Sequence, residues 1–248
     1  MKNNLISPYH TIWFEKINST NSFLKDKQDL FQNKTVISTL NQTNGRGTKQ
    51  RKFHAIPNKT LCFSILLKNI KPSFLTTIPI LSAICFIKTL KHFSVKTATI
   101  KWFNDITIEN KKIAGILCES NILKKTANII VGIGVNLLSK EEELKNLGLL
   151  NATSIFSKTN KKINPKDFLE KYLIIFDRYI LNYSRTKIIA KYEKYCHTIG
   201  KNLKIFNLKN GDIFFAKAKN LLLDGSLLVE SKKNFFNLNY NDFSIQEI

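Results

Sequence analysis

Short apolar runs bounded by polar clusters fill the first third of the chain. Thr11 to Ile17 predicts a short strand, after which Ser19-Thr20-Asn21 offers helix N-caps ahead of Phe23 and Leu24. Val36 to Leu40 predicts a second strand, Asn41 to Lys59 a long polar loop, and Leu61 to Leu67 a buried strand. Apolar residues then recur at helical spacing from Phe74 to Phe93. Strands are expected around Thr99 to Trp102, Asp105 to Glu109, Lys112 to Glu119 and Ala127 to Val135, with Glu109-Asn110-Lys111 as a hairpin turn. Lys166 to Tyr183, opened by Asn164-Pro165, and Ile188 to Cys196 read as amphipathic helices. After Gly200 the period shortens to close-set strands: Asn202 to Phe206, Asp212 to Ala218, Ser226 to Glu230 and Phe235 to Leu238. Asn210-Gly211 and Asp224-Gly225 mark tight turns between them. The pattern predicts an α+β domain over residues 1–198, a mixed or antiparallel sheet flanked by helices, with a small C-terminal β-barrel over 199–248.

Composition narrows this picture. A chain of 248 residues with 43% hydrophobic content can bury a sizeable core. The cysteines (Cys62, Cys85, Cys118, Cys196) form no C-x-x-C pair, which argues against a zinc site or a disulfide framework. Met1 to His10 shows no signal-peptide pattern, and the run Ile78 to Ile87 is about half of the roughly 20 residues that span a bilayer. A reduced, cytoplasmic protein without a membrane partner is expected. The net charge of +21 is almost all lysine spread evenly, so it reads as compositional bias rather than a nucleic-acid stripe. Arginine is scarce (Arg46, Arg51, Arg178, Arg185), yet two of the four fall within one loop. Lysine cannot supply a planar bidentate fork, so their retention there points to anion binding.

The candidate chemistry lies in two distant segments. Gln42 to Arg51 is a glycine-spaced cationic loop, and Lys101-Trp102-Phe103-Asn104-Asp105 leads into Lys111-Lys112-Ile113-Ala114-Gly115. Exposed amides and cations suit nucleotide phosphates, yet no P-loop and no dinucleotide fingerprint occurs.

These residues resemble the biotin–protein ligases. Ser19-Thr20-Asn21 resembles the Ser-Thr-Asn helix start, Gln42 to Arg51 the Gly-Arg-Gly-Arg-x-Gly-Arg loop, and Lys101 to Asp105 with Lys112 to Gly115 the Lys-Trp-Pro-Asn-Asp … Lys-Leu-Ala-Gly pair. Gly132-Ile133-Gly134-Val135-Asn136 resembles Gly-Ile-Gly-Val-Asn, and the four matches stand in the family's order from about residue 13 to the end. The resemblance implies a class II aminoacyl-tRNA-synthetase-like catalytic fold with a Src-homology-3-like barrel. It also implies two reactions: biotin is adenylated by ATP with release of pyrophosphate, then passed to a lysine of a biotin carboxyl carrier protein.

By the same resemblance Lys112, Arg46 and Arg51 are catalytic, Lys112 bridging the biotin carboxylate and the α-phosphate. Ser19, Thr20, Asn21, Gln42, Gly45, Arg46, Gly47, Lys112 and Gly115 would hold biotin. Arg51, Lys101, Trp102, Asn104, Asp105, Lys112 and Asn136 would hold ATP, with Asp105 toward Mg²⁺. Each has a plainer alternative: helix capping for Ser19 and Thr20, a turn for Asn104-Asp105, a solvated edge for Lys101, strand packing for Gly132 and Gly134. Thr48 and Gln50 depart from the family's arginine and glycine, Phe53 from its tryptophan and Phe103 from its proline. Gln246 lies near the position of an adenine-contacting arginine in some members. Eighteen residues before Ser19 leave no room for the winged helix of members that act as repressors, so no specific DNA binding is expected, and the chain would be a monomer or homodimer. Lipoate–protein ligase is the rival of the same fold; a basic nucleic-acid-binding protein is the rival of another class.

Overall fold

The computed structural model describes residues 8–182 and 184–248; most of the Met1 to His10 reading, and Tyr183 at the end of an expected helix, lie outside them. The chain runs β1 (His10–Phe14), α1 (Thr20–Lys27), β2 (Thr35–Thr39), a ribbon of β3 (Gly45–Arg46) and β4 (Lys52–Phe53), β5 (Thr60–Ile70) and α2 (Thr77–His92). It continues through β6 (Thr99–Lys101), β7 (Asp105–Ile108), β8 (Lys111–Ile122), β9 (Ala127–Asn136), α3 (Glu141–Asn146), α4 (Ile155–Thr159), α5 (Pro165–Leu181) and α6 (Arg185–Tyr195). β10 (Asn202–Asn207), β11 (Ile213–Leu221), β12 (Leu227–Ser231), β13 (Asn234–Leu238) and β14 (Phe243–Glu247) complete it.

Seven strands form one sheet in the order β1-β2-β5-β9-β8-β7-β6. Only β1 and β2 run parallel; every other pair is antiparallel, so the sheet is mixed as expected. The period of two in β9 sorts its side chains. Ile129, Val131, Ile133 and Val135 join the main core, which also takes residues of α2, α5 and α6. Ile130 joins a smaller cluster with Leu24 of α1, Ile37 and Leu66. Full burial of each such side chain contributes about 1.5–3 kcal/mol, so helices are held on both faces. Asn164 caps α5 ahead of Pro165, accepting from the Lys166 and Asp167 amides at 2.8 and 3.4 Å.

The second sheet is antiparallel, in the order β13-β12-β11-β10-β14, and is Src-homology-3-like. Four of its strands were legible from the sequence. β14 was missed although Phe243-Ser244-Ile245-Gln246 alternates apolar with polar, because a run of five residues gives a weak signal; it pairs with β10. The main core runs on into this sheet through Leu203, Ile205, Ala218 and Val229. Side chains and carbonyls stitch the two together: Trp102 Nε1 donates to the Gly225 carbonyl at 3.3 Å, and Phe103 stacks on Tyr240 at 4.2 Å between ring centres.

Other differences are local. β1 stops at Phe14, and Ile17 instead makes an isolated bridge to Gln42. The polar loop 41–59 contains the β3–β4 ribbon, and the short helices α3 and α4 fall where the sequence offered no long period.

Candidate active site

The site grows on the sheet face that carries α1. Ser19 caps α1, its hydroxyl accepting from the Ser22 amide at 3.3 Å. That fixes Thr20 and Asn21 in the first turn, pointing at the sheet, and all three are buried. The Thr20 amide and hydroxyl donate to Gln42 Oε1 at 2.9 and 3.2 Å. Ser64 Oγ, on β5, lies 2.7 Å from Thr20 Oγ1 and 2.5 Å from Asn21 Oδ1. Asn21 Nδ2 donates to the Leu117 carbonyl and to Glu119 Oε2 at 3.3 and 3.1 Å. The capping and the binding assignments of Ser19 and Thr20 are therefore compatible: the cap aims the neighbouring polar groups.

The floor needs glycine. A Cβ at Gly132 would stand 1.9 Å from Asn21 Oδ1, and one at Gly134 would stand 2.3 Å from the Phe53 ring. The space above both glycines thus receives side chains of the protein itself. Asn136, expected to approach adenine through these glycines, does not line the cleft: it is buried, with its amide accepting from Thr60 Oγ1 at 3.2 Å and donating to the Thr153 carbonyl at 3.1 Å. Because Thr153 in turn donates its amide to the Lys112 carbonyl at 2.8 Å, Asn136 buttresses the strand under Lys112.

Lys112 stands where the sheet meets the loop. Its Nζ is 2.6 Å from Asp105 Oδ1, and the stem lies over Gly115, where a Cβ would be 3.1 Å from Nζ. Asp105, expected to face Mg²⁺, is thereby the partner of Lys112. Asn104 is fastened to β8, Nδ2 donating to the Ile116 carbonyl at 2.6 Å.

Two clefts meet at this point. The smaller, about 460 Å³, is bounded by Ser19, Thr20, Asn21, Gln42, Arg46 and Lys112. The larger, about 870 Å³, is bounded by Lys49, Arg51, Lys52, Lys101 and Lys112 with one carboxylate, Asp105. Gly47, Thr48, Phe53, Asn104 and Lys112 border both. Tyr240, Phe243, Ser244 and Ile245 of the second sheet close the larger one, and Trp102 forms part of its wall. Gly45 lies outside both linings; its missing Cβ, which would be 2.4 Å from the Phe53 carbonyl, lets β3 and β4 pair.

The loop is tied at two points. Arg46 Nη2 pairs with Glu119 Oε2 at 2.7 Å, and Lys49 Nζ donates to the Phe243 carbonyl at 2.5 Å. Burial, then the charge of Arg51, lower the Lys49 pKa below the ordinary lysine value. Glu119 was missed by sequence reasoning. Alternation along β8 could have found it, since Gly115, Leu117 and Glu119 share one face. Burial works to raise its pKa, but hydrogen bonds from Asn21 and Lys25 and the charge of Arg46 together hold it below the usual carboxylate value. Burial pushes the Cys62 thiol beside the small cleft up to about 12, which keeps it out of nucleophilic chemistry. Among the described residues no group of three or more His, Cys, Asp or Glu is set to hold a metal.

Comparison with known proteins places this arrangement. The profile of the Biotin/lipoate A/B protein ligase family matches residues 13–136. The bifunctional ligase/repressor BirA of Bacillus spizizenii is 29% identical over 237 residues, covering 90% of this chain and 70% of that protein. A solved biotin protein ligase from Aquifex aeolicus, in complex with biotin and ATP, superimposes with a TM-score of 0.80 at 25% identity, over 96% of this chain and 99% of that one. A biotin protein ligase from Leishmania major in complex with biotinyl-5-AMP shares the fold, with a TM-score of 0.66 at 22% identity over 94% and 99% of the two chains.

Proposed function

This chain belongs to the Biotin/lipoate A/B protein ligase family, and we propose from its site how it works as an ATP-dependent biotin–protein ligase. The observation that carries the reading is the position of Lys112, on the border of a small polar cleft and a larger cationic one. The small cleft takes biotin, whose ureido ring needs both donors and acceptors; Thr20, Asn21 and Gln42 offer them. The larger takes ATP, because five cations against one carboxylate suit a polyphosphate.

A carboxylate oxygen of biotin attacks the α-phosphorus while the bond to the β-phosphate oxygen breaks and pyrophosphate leaves. The nucleophile is already an anion, so positioning and neutralisation of charge supply the catalysis rather than proton transfer. Lys112 would touch both reacting groups, exchanging Asp105 for them as they enter. Arg46 and Arg51 close from the loop, and Lys101, Trp102 and Asn104 border the nucleotide. In the second step a lysine amine of a biotin carboxyl carrier domain attacks the acyl carbon and AMP leaves. Magnesium would arrive on the triphosphate and neutralise its charge; it needs at most one or two carboxylates, and Asp105 is the one present.

Biotin is favoured over lipoate by the polar end of the small cleft. A dithiolane is a weak hydrogen-bonding group and would gain little from Thr20, Asn21 and Gln42, which are already paired within the cleft, whereas a ureido ring can share their remaining donors and acceptors. Incubation with ATP, Mg²⁺ and biotin, followed by mass spectrometry, should yield biotinyl-AMP. Formation of a lipoyl adenylate in its place would overturn the choice of substrate.

A further inference from the structure

The small cleft has an acidic neighbour that a binding site for an anion should not tolerate without reason. Glu119 sits on the same face of β8 as Gly115, its side chain 19% exposed, next to where a negatively charged adenylate would lie. Three donors from two parts of the chain converge on it: Asn21 Nδ2 and Lys25 Nζ from α1, and Arg46 Nη2 from the loop. Of the cations between Gln42 and Arg51, Arg46 alone has an ion pair among the described residues; Lys49 is tied to a backbone carbonyl and Arg51 has no carboxylate partner. Arg46, the loop cation that lines the small cleft, is thus fixed by charge.

We propose that Glu119 is a positioning residue that holds Arg46 across the mouth of the small cleft and so sets how long the acyl-adenylate is retained. The geometry of guanidinium makes this workable. Arg46 gives one Nη2 hydrogen to Glu119, and the rest of its five-donor fork remains for the carboxylate or phosphate of the ligand. Glu119 in turn spreads its charge over Lys25 and Arg46, so two cations offset it and the site stays attractive to anions. Asn21 links the same carboxylate to the ring end of the cleft, which couples loop closure to the groups that read the ligand. This inference rests on the adenylating activity proposed above, and it adds a residue that would touch neither substrate.

The test uses the full chain loaded with biotin and ATP, then chased, with release of biotinyl-AMP followed over time. Glu119→Gln keeps the shape and the Asn21 contact but removes the charge that Arg46 answers. We expect release about tenfold faster, a raised biotin KM, and a kcat for pyrophosphate exchange within about twofold of the parent. Glu119→Asp, which keeps the charge but withdraws it by one methylene, should fall between the two and covers the case in which the glutamine variant does not fold. Arg46→Gln, which also removes the fork that would hold the ligand, should speed release at least as much, and adding Glu119→Gln to it should change nothing further, because Glu119 acts through Arg46. Unchanged release in the two Glu119 variants, or multiplied effects in the double variant, would overturn the proposal while leaving the activity standing. Failure of the parent chain to form any biotinyl-AMP would overturn the activity itself, and this proposal with it.

Discussion

The two clefts that meet at Lys112 are built on opposite principles. In the small one the polar atoms are answered by one another: Thr20 by Gln42, Asn21 by Leu117 and Glu119, Ser64 by both α1 residues. In the large one the charges are left in surplus, and only Asp105 offsets them. A neutral ring is recognised by donors and acceptors fixed beforehand, because each misaligned buried group costs about 1–3 kcal/mol. A polyphosphate is recognised by field, which tolerates looser placement and draws on segments as distant as residues 49–52 and 240–245. The small cleft is therefore a product of α1, the central sheet and the start of the loop, whereas the large one also needs the C-terminal sheet.

The sharpest way to break this contrast is to remove the residue the clefts share. Lys112→Ala should lower the rate of pyrophosphate exchange at least tenfold, equivalent to about 1.4 kcal/mol or more of transition-state stabilisation, with an unchanged far-ultraviolet circular dichroism spectrum. Near-normal exchange would mean that the two clefts do not meet at that amine. Gly132→Ala attacks the prearranged cleft alone: a methyl 1.9 Å from Asn21 Oδ1 must displace it. We expect a biotin KM raised by about tenfold and a lower melting temperature, with the ATP KM little changed. Equal movement of both KM values would show that the clefts are one unit. Arg51→Ala probes the field-based cleft, and the ATP KM should rise about three- to tenfold, more so in low salt, while the biotin KM stays put. The smallest effect is expected from Trp102→Phe, which loses the bond to the Gly225 carbonyl. A stability loss of about 1 kcal/mol in urea denaturation, with little effect on either KM, is the outcome if the second sheet is held by many contacts rather than this one.

The stretches with strong periods were legible from residues alone. The alternation of β9, the long helix after residue 74 and the Asn164-Pro165 helix start each follow from local stereochemistry, and the structure has them within a few positions. The ordered motifs likewise pointed to Ser19, Thr20, Gln42, Arg46 and Lys112, and these line one cleft. Short length hid β14, α3 and α4, and the backbone of β14 is ordered by β10, well before it in the chain. Asn136 shows a different limit. Its motif was visible, but whether an amide faces ligand or neighbours depends on what Thr60 and Thr153 do, and neither is near it in sequence.

Local spacing determined which segments are strands and helices and which residue types the chemistry uses, since φ/ψ preference, capping and side-chain alternation act over a few positions. The folded sheet alone decided that Asp105 answers Lys112, that Glu119 answers Arg46, and that Asn21 and Phe53 lie over Gly132 and Gly134. Such pairings turn on distances of a few ångströms between groups that can stand 73 positions apart, as Arg46 and Glu119 do, and no sequence period encodes them.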